Sequence, residues 1–262
     1  AHVLQRYKGE GVVKLYTSGS FLDPAEIPEP QRLLDKVIEA GARRVVVESR
    51  PEYIAPSLER VKQYEGHIEV ALGLETSSDI LRERAVCKGF TFEDYSAAAA
   101  HLRDAGARVR TYLLLKPPFL TERDALLDCV RSMRDAAPHS HVLSINPVNV
   151  QRGTLVERLW RRGAYRPPWL WTLLEVLRRG REILPGDVLL VSEPSGGGTR
   201  RGAHNCMGCD RRILDAVRRF SLSQDSKALH PEHCGCIETW LDILELEPAA
   251  FTTTDLLRAE RG

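Results

Sequence analysis

The chain has 262 residues, and its 37 lysines and arginines nearly balance its 36 aspartates and glutamates, which gives a formal net charge of +1 at pH 7. This length can bury a large core, and an α/β barrel can use it as a single unit. The charge balance alone gives no reason to expect a nucleic-acid partner. No apolar run is long enough to cross a bilayer, and the first residues lack the pattern of a signal peptide, so we expect a cytoplasmic protein with no membrane contact.

Strands and helices are predicted to alternate along the chain. Short apolar runs predict six strands, at 12–16, 43–49, 67–75, 108–115, 141–150 and 186–194. Apolar residues at helical spacing predict helices at 31–40, 57–64, 91–106 and 169–184, another that follows the loop ending at Glu122 and runs through Arg131, another after residue 154, and two near the end at 211–220 and 237–246. Regular alternation of this kind is typical of a parallel sheet with its ligand site at the carboxyl ends of the strands.

The stretch from His67 to Leu115 is the clearest part of this pattern. Residues 67–75 form a near-continuous apolar run, as in a strand that is covered on both faces, and the run ends in Glu75. The following helix is predicted to bury one face and to end at Gly106. The residues of that face are Phe92, Tyr95, Ala98, Ala99 and Leu102. Strand, helix and strand in succession predict a right-handed crossover.

Polar residues follow five of the predicted strands at the same edge of the sheet. They are Thr17, Ser18, Gly19 and Ser20 after the first strand, then Glu48, Glu75, Lys116, and Asn146 with Asn149. Carboxylates, a cation and accessible backbone suit an amino-acid-like or nucleoside ligand. Any one of these residues alone is more often part of a solvated loop, but their recurrence favours a binding site.

Four of the six cysteines crowd near the end of the chain and predict a metal site. Cys206 and Cys209 form one close pair, and Cys234 and Cys236 form the other. Two such pairs can place four sulfurs around one structural zinc. His233 is the alternative to one of the last two thiolates, and an auxiliary iron-sulfur cluster is the alternative metal group. Four buried free cysteines would be the reading without a metal, and Cys87 and Cys129 fit the core or an incidental position.

Arginines are concentrated near these cysteines. They are Arg161, Arg162, Arg200, Arg201, Arg211, Arg212, Arg218 and Arg219. Arginine beside a small metal-bound module suits phosphate contacts, although any one pair fits a solvated helix face equally well. We therefore predict an α/β parallel partial barrel over residues 1–194 and a C-terminal metal-binding helical module over residues 195–262.

Several stretches resemble the radical S-adenosylmethionine superfamily, in the branch that contains the elongator catalytic subunit. They are TSGSFLDP at 17–24, ESRPEY at 48–53, residues 73–95, DAGARV at 104–109 and INPVNVQRGT at 145–154. Together with LKPPFLTE at 115–122, residues 192–206 and the later Cys-Gly-Cys, they look most like the archaeal radical enzymes of archaeosine biosynthesis. The resemblance covers nearly the whole chain.

This resemblance implies S-adenosylmethionine, a four-iron four-sulfur cluster and a transfer RNA substrate. The implied reaction forms a 5'-deoxyadenosyl radical, which removes a hydrogen atom from the lysyl side chain of a lysine-modified 7-deazaguanine. The carbon-nitrogen bond of that side chain then breaks. The resemblance also implies an archaeosine synthase partner protein. Residues 17–20 would meet the amino group of S-adenosylmethionine, and Glu48 and Glu75 would lie near its ribose or methionyl end. Lys116 would border the adenine, Asn146 belongs to the same strand-end set, and no catalytic residue is assigned.

The sequence departs from the superfamily at one point, because no cysteine precedes Cys87. The superfamily holds its catalytic cluster with three closely spaced cysteines after the first strand. Either a segment carrying that strand and loop is absent from this chain, or the chain is a degenerate relative. The second case would make it a non-catalytic, zinc-containing RNA-binding protein, and another elongator-like transfer RNA-modifying enzyme is a further alternative.

Overall fold

The six predicted strands are all present in the structure, a computed structural model that describes residues 11–16, 19–232 and 234–250. They are β1 (Val12–Leu15), β2 (Arg44–Ser49), β3 (Ile68–Glu75), β4 (Arg108–Leu115), β5 (Val142–Pro147) and β6 (Leu189–Val191). They form one sheet in the order β1-β2-β3-β4-β5-β6. The β1–β2, β2–β3 and β5–β6 pairs are parallel. Each strand lies beside the next one in the chain, which is the strand order of a (β/α) barrel.

The helices fall between these strands and after β6. They are α1 (Pro30–Glu39), α2 (Leu58–Lys62), α3 (Asp79–Leu81), α4 (Phe92–Asp104), α5 (Glu122–Ala136), α6 (Leu155–Arg161), α7 (Leu170–Ile183), α8 (Asp210–Ser223) and α9 (Cys236–Ala250). Helix α5 continues five residues past its predicted end at Arg131. The part of the chain that the structure describes contains no helix with both the length and the apolar character of a membrane span.

The chain divides into two compact units. The first unit comprises Ala1–Leu74, Phe90–Tyr112 and His139–His141, and the second comprises Glu75–Gly89, Leu113–Pro138 and Val142–Gly262. The predicted division of the chain at Ser195 remains a prediction.

In the first unit, α4 makes the crossover between β3 and β4 as the sequence predicts. The helix begins with a capping box, in which the Asp94 N–H donates to Thr91 Oγ1 at 3.1 Å and the Thr91 N–H donates to Asp94 Oδ2 at 2.8 Å. Such a cap stabilises a helix by about 1 kcal/mol. Four of the five residues predicted for the inner face are buried. Among them, Tyr95 contacts Thr111 and Ser140 through its hydroxyl at 2.6 and 3.2 Å.

Helix α1 buries a narrower stripe than the sequence suggests. The buried residues are Pro30, Leu34 and Val37, spaced by four and then three positions. The helical spacing of its apolar residues predicts that Leu33 is buried as well, but Leu33 lies beside this stripe and is 44% exposed, so that prediction is wrong.

The second unit is built around α5 and α7, which pack against each other. The leucines that recur at helical spacing on α7 predict its core face, and all of them are buried, namely Leu170, Leu173, Leu174 and Leu177. Helix α9 packs on α5. Trp240 fixes it further, because its indole N–H donates to Thr172 Oγ1 on α7 at 2.8 Å. The helix that begins at the last cysteine is therefore attached to the core of this unit.

Candidate functional site

The strand-end residues of the first unit are held in place by hydrogen bonds. The hydroxyls of Ser20 and Ser49 are 2.8 Å apart, and the Phe21 N–H donates to the Glu48 carbonyl at 2.7 Å. The Tyr112 hydroxyl bonds to the Glu48 carboxylate, and burial is the main cause that raises the pKa of Tyr112. The loop after β1 is thus joined to the end of β2. Thr17 and Ser18, which were predicted to meet S-adenosylmethionine, lie outside the described residues.

In the second unit, Glu75 ends β3 in an uncommon backbone conformation. Its φ is 68°, in the left-handed region, and its Oε1 lies 2.9 Å from the Lys88 ammonium nitrogen. Lys88 reaches this position because a π-helix at Arg82–Val86 is followed by Cys87, which also has a positive φ of 59°. Irregular helices and left-handed residues of this kind are concentrated at functional sites.

The loop that follows Glu75 is anchored on α5. Thr76 Oγ1 donates to Asp128 at 3.0 Å, and the Ser77 N–H donates to Ser132 Oγ at 2.9 Å. The guanidinium of fully buried Arg82 donates to the Thr76 carbonyl at 2.7 Å. The carboxylate of Glu75 therefore has a fixed position.

Lys116 directly follows β4 and also has a positive φ, of 63°. Its ammonium nitrogen lies 2.6 Å from Glu122 Oε2, and both residues are buried. The other oxygen of Glu122 accepts from the Trp169 N–H at 2.7 Å and from the Thr172 hydroxyl. Sequence reasoning missed this partner, because Glu122 was assigned only to the loop after the strand. The placement of Lys116 beside an adenine remains a prediction.

The asparagines after β5 make weaker contacts. Asn146 Oδ1 accepts from the Ser144 hydroxyl at 3.4 Å, and Asn149 Nδ2 lies 3.5 Å from Ser195 Oγ. The strand-end set is thus divided, since Gly19, Ser20 and Glu48 belong to the first unit and the remaining described members belong to the second.

The four late cysteines come together within the second unit. Their sulfurs all lie within 4.8 Å of one another. The Cys206–Cys209, Cys206–Cys234 and Cys209–Cys236 sulfur pairs are 3.7 Å apart, and Cys234 and Cys236 are 3.6 Å apart. Cys206 is exposed and Cys209 is buried. His233, the predicted alternative ligand, lies outside the described residues.

These distances fit a single tetrahedral ion. Four thiolates at about 2.3 Å from one zinc form a tetrahedron with edges of about 3.8 Å. A disulfide needs a sulfur-sulfur distance of about 2.05 Å, and no pair of these four is that close. In a four-iron four-sulfur cluster each cysteine binds a different iron, so its sulfurs must spread further apart than these do. The cysteine cluster could therefore hold one metal ion.

Hydrogen bonds from neighbouring residues orient two of the sulfurs. The Trp171 indole N–H donates to Cys236 Sγ at 3.2 Å, and the Asn205 amide donates to Cys209 Sγ at 3.4 Å. Such contacts fix ligand geometry around metals. The Cys209 backbone N–H lowers the pKa of Cys206 to about 7, whereas burial raises the pKa of Cys236 to about 12. Metal binding at this cluster must therefore release protons.

The arginines near the cysteines fall into two groups. Arg211, Arg212, Arg218 and Arg219 are exposed on α8. In the other group, Arg201 donates to Glu157 Oε1 at 2.7 Å, and Arg161 donates to the same oxygen at 3.1 Å. The predicted basic surface therefore contains both solvated helix residues and residues that are fixed by ion pairs.

Comparison with known proteins identifies close relatives. The chain is 44% identical over 254 residues to archaeosine synthase subunit beta of Methanosarcina acetivorans, which covers 93% of this chain and 72% of the relative. It is 41% identical over 247 residues to archaeosine synthase subunit beta of Thermococcus kodakarensis, covering 91% of this chain and 75% of the relative. No protein-family model matches the chain.

Two solved structures resemble the fold. The archaeal Methanocaldococcus infernus Elp3 with an N-terminal deletion matches with a TM-score of 0.59 and 21% identity, over 84% of this chain and 55% of its own. Methylornithine synthase matches with a TM-score of 0.51 and 18% identity, over 72% of this chain and 52% of its own. At these identities the likeness shows the fold alone. It confirms the predicted α/β parallel partial barrel.

Proposed function

Because the chain belongs to the archaeosine synthase subunit beta family, we propose that it acts on transfer RNA as the barrel of a radical S-adenosylmethionine enzyme. The observation that carries the proposal is the 44% identity over 93% of the chain to a protein of that name. The barrel fold agrees with this assignment, since the Elp3 and methylornithine synthase structures share it. The word subunit in the relatives' name supports an archaeosine synthase partner protein.

The proposed reaction is the one implied by the family resemblance: scission of the carbon-nitrogen bond of the lysine side chain on a lysine-modified 7-deazaguanine in transfer RNA. S-adenosylmethionine would supply the radical chemistry, and the barrel would supply position. The cluster that normally cleaves S-adenosylmethionine needs three cysteines, and no cysteine precedes Cys87 in this sequence. The residues present therefore do not fit that cluster.

Glu75 is the best-supported of the proposed cofactor contacts. Its carboxylate is 15% exposed and is held by Lys88, which suits an acceptor for the ribose hydroxyls or the methionyl ammonium. The other proposed contacts are Gly19, Ser20, Glu48, Lys116 and Asn146. Among these, the Lys116 side chain is nearly inaccessible to solvent. Its charge is also neutralised already by Glu122.

We also propose that Cys206, Cys209, Cys234 and Cys236 hold one structural zinc. The sulfur spacing supports one ion over a multi-iron cluster, and no position around the four thiolates is needed for a substrate. The ion would join the turn before α8 to the start of α9. Zinc in this role stabilises the fold and takes no part in the reaction.

The function is tested with the complete gene product, purified without oxygen and supplied with iron, sulfide, S-adenosylmethionine and a reductant. The substrate is transfer RNA that carries lysine-modified 7-deazaguanine. We expect 5'-deoxyadenosine and an archaeosine nucleoside, both measured by mass spectrometry after digestion of the RNA. Glu75→Ala should weaken S-adenosylmethionine binding by about tenfold or more, because it removes a charge-assisted hydrogen bond.

The control is Glu59→Ala, which removes an exposed carboxylate paired with Lys62 and should change neither product. Tight RNA binding without either product would instead support the non-catalytic RNA-binding protein. Unchanged S-adenosylmethionine affinity in Glu75→Ala would remove Glu75 from the site.

A further inference from the structure

A groove lies beside the cysteine cluster, between the segment that follows α6 and the Cys206 turn. Its volume is about 570 Å³, and its walls include Trp160, Tyr165, Arg166, Arg200, His204 and Met207. Pockets for small ligands fall within about 300–1,000 Å³. The groove is therefore large enough for one nucleotide.

Trp160 gives this groove a rigid aromatic wall. The ring is half-buried and packs against a small apolar cluster of Val148, Val150 and Tyr165. The Arg201 guanidinium stands over the ring, 4.9 Å from its centre. A ring that is already fixed loses little conformational entropy when a base stacks on it. Stacking on such side chains is how proteins bind exposed bases of single-stranded nucleic acid.

Two of the arginines around the groove are already bound to other residues of the protein. Arg201 donates to the Val150 carbonyl at 3.0 Å and to Glu157 at 2.7 Å. Arg166 donates to the His204 carbonyl at 2.7 Å and stacks over Trp169 at 4.1 Å. These contacts hold the walls of the groove and do not leave either guanidinium available as the main ligand contact.

Arg200 differs from both of them. It lines the groove and is exposed, and none of the described residues forms an ion pair or a hydrogen bond with its side chain. Residues 151–166, of which Trp160, Gly163, Tyr165 and Arg166 line the groove, hold five arginines and one acid, Glu157, which is buried and already paired. Such an excess of arginine beside an aromatic ring matches a phosphate next to a base. His204 adds a polar edge, since its Nδ1 lies 2.8 Å from the Gly202 carbonyl, which leaves Nε2 as the remaining ring nitrogen.

We propose that this groove binds one unpaired nucleotide of the RNA substrate, with the base against Trp160 and its phosphate at Arg200. The choice of RNA as the source of the nucleotide rests on the proposed function, whereas the nucleotide chemistry rests on the groove. The Cys206 turn forms part of the wall, so the metal module would take part in positioning the RNA.

The test measures binding of fluorescently labelled transfer RNA to the complete gene product by anisotropy at several salt concentrations. Trp160→Leu should weaken binding by roughly 5- to 150-fold, the range for loss of one stacked base, with no change in salt dependence. Arg200→Gln should weaken binding and reduce the slope of log affinity against log salt by about one phosphate contact. Arg134→Gln on α5 removes another exposed arginine, outside both the groove and the predicted basic surface, and should bind like the wild type.

Trp160 also packs on apolar neighbours, so Trp160→Phe serves as the variant that keeps an aromatic ring; it should retain most of the affinity. Binding of a free nucleoside monophosphate tests the same groove without RNA. It is measured by the change in the fluorescence of Trp160, the signal that Trp160→Phe lacks. If Trp160→Leu and Arg200→Gln bind RNA like the wild type, or if Arg134→Gln loses as much affinity as Arg200→Gln, the proposal is overturned. Binding of the free nucleotide alone, with RNA affinity unchanged in both variants, overturns the assignment to RNA.

This result is separable from the test of the enzymatic reaction. Binding needs neither a cluster nor S-adenosylmethionine, so weakened binding without any product would uphold the groove and refute the reaction. Normal product formation with both groove variants would uphold the reaction and refute the groove.

Discussion

At the scale of single residues, the Glu157 carboxylate holds several groups together, and the sequence predicted none of these contacts. Its carboxylate accepts from the Gly153 N–H at 2.8 Å, from Arg201 at 2.7 Å and from Arg161 at 3.1 Å. The hydrogen bond from Arg201 is the main cause that lowers the pKa of Glu157 from its ordinary 4.5 to about 2. One acid therefore fixes the arginine that stands over Trp160.

This low pKa predicts a specific dependence of stability on pH. A depressed carboxyl pKa stabilises the fold above the unfolded value near 4.5, and that stabilisation is lost as the pH falls toward about 2. Glu157→Gln should therefore lower the melting temperature at pH 7, and the difference from the wild type should shrink steadily between pH 4.5 and pH 2. Thermal unfolding followed by circular dichroism across this range measures it.

The matched control for this prediction is Glu182→Gln, which also removes an acid paired with arginine, at 2.6 Å from Arg178. Its carboxylate is 60% exposed, so the pair should contribute little at any pH. A difference between Glu157→Gln and the wild type that stays constant from pH 7 to pH 2 would contradict the prediction.

At the scale of elements, the ends of β3 and β4 share one design. A charged residue with a positive φ lies at each of these ends: Glu75, the last residue of β3, at 68°, and Lys116, the residue after β4, at 63°. A non-glycine residue in this region costs about 1–3 kcal/mol and persists only where its surroundings hold it. Here the holding contacts are ion pairs, with Lys88 for Glu75 and with Glu122 for Lys116.

The pair at the end of β4 predicts a large effect on stability. Lys116→Met should destabilise the protein by about 3–5 kcal/mol, because Glu122 would remain as a buried charge without its cation. Lys62→Met is the control: its ion pair with Glu59 has a similar length of 2.7 Å but is exposed, so its loss should cost less than about 1 kcal/mol. Urea unfolding at neutral pH compares the two.

Adding Glu122→Gln to Lys116→Met should recover part of the lost stability, because the neutral amide can still accept from the Trp169 N–H. Equal unfolding midpoints for Lys116→Met and Lys62→Met would show that the buried pair is not important to the fold.

The sequence predicts the elements much better than it predicts these partners. Apolar runs and helix caps are local signals, so all six strands and the capping box at Thr91 could be found without the structure. The contact of Glu75 with Lys88 depends on a π-helix, which has no simple sequence pattern. The pairing of Arg201 with Trp160 joins distant segments, so only the fold reveals it. The cysteine pairs could be predicted because metal ligands are few and their spacing is constrained.

At the scale of the whole molecule, the cysteine cluster joins the last two helices to the rest of the second unit. Cys209 immediately precedes α8, and Cys236 is the first residue of α9. Trp171 on α7 bonds to Cys236 at 3.2 Å, so the cluster also contacts the core. An ion at this point would stabilise two helix starts at once.

Loss of the metal should therefore reduce stability and leave any other metal group in place. We expect about one zinc per chain in the complete gene product, and Cys209→Ser should lose that zinc and lower the melting temperature by roughly 5 °C or more. Any iron that the protein holds should be unchanged in this variant. Cys87→Ser replaces an exposed cysteine outside the cluster and should keep both the zinc and the melting temperature. Elemental analysis and thermal unfolding of the same samples distinguish the outcomes. Loss of iron and of visible absorbance from Cys209→Ser would assign an iron-sulfur group to these cysteines. Unchanged metal content and stability would mean that they bind no metal.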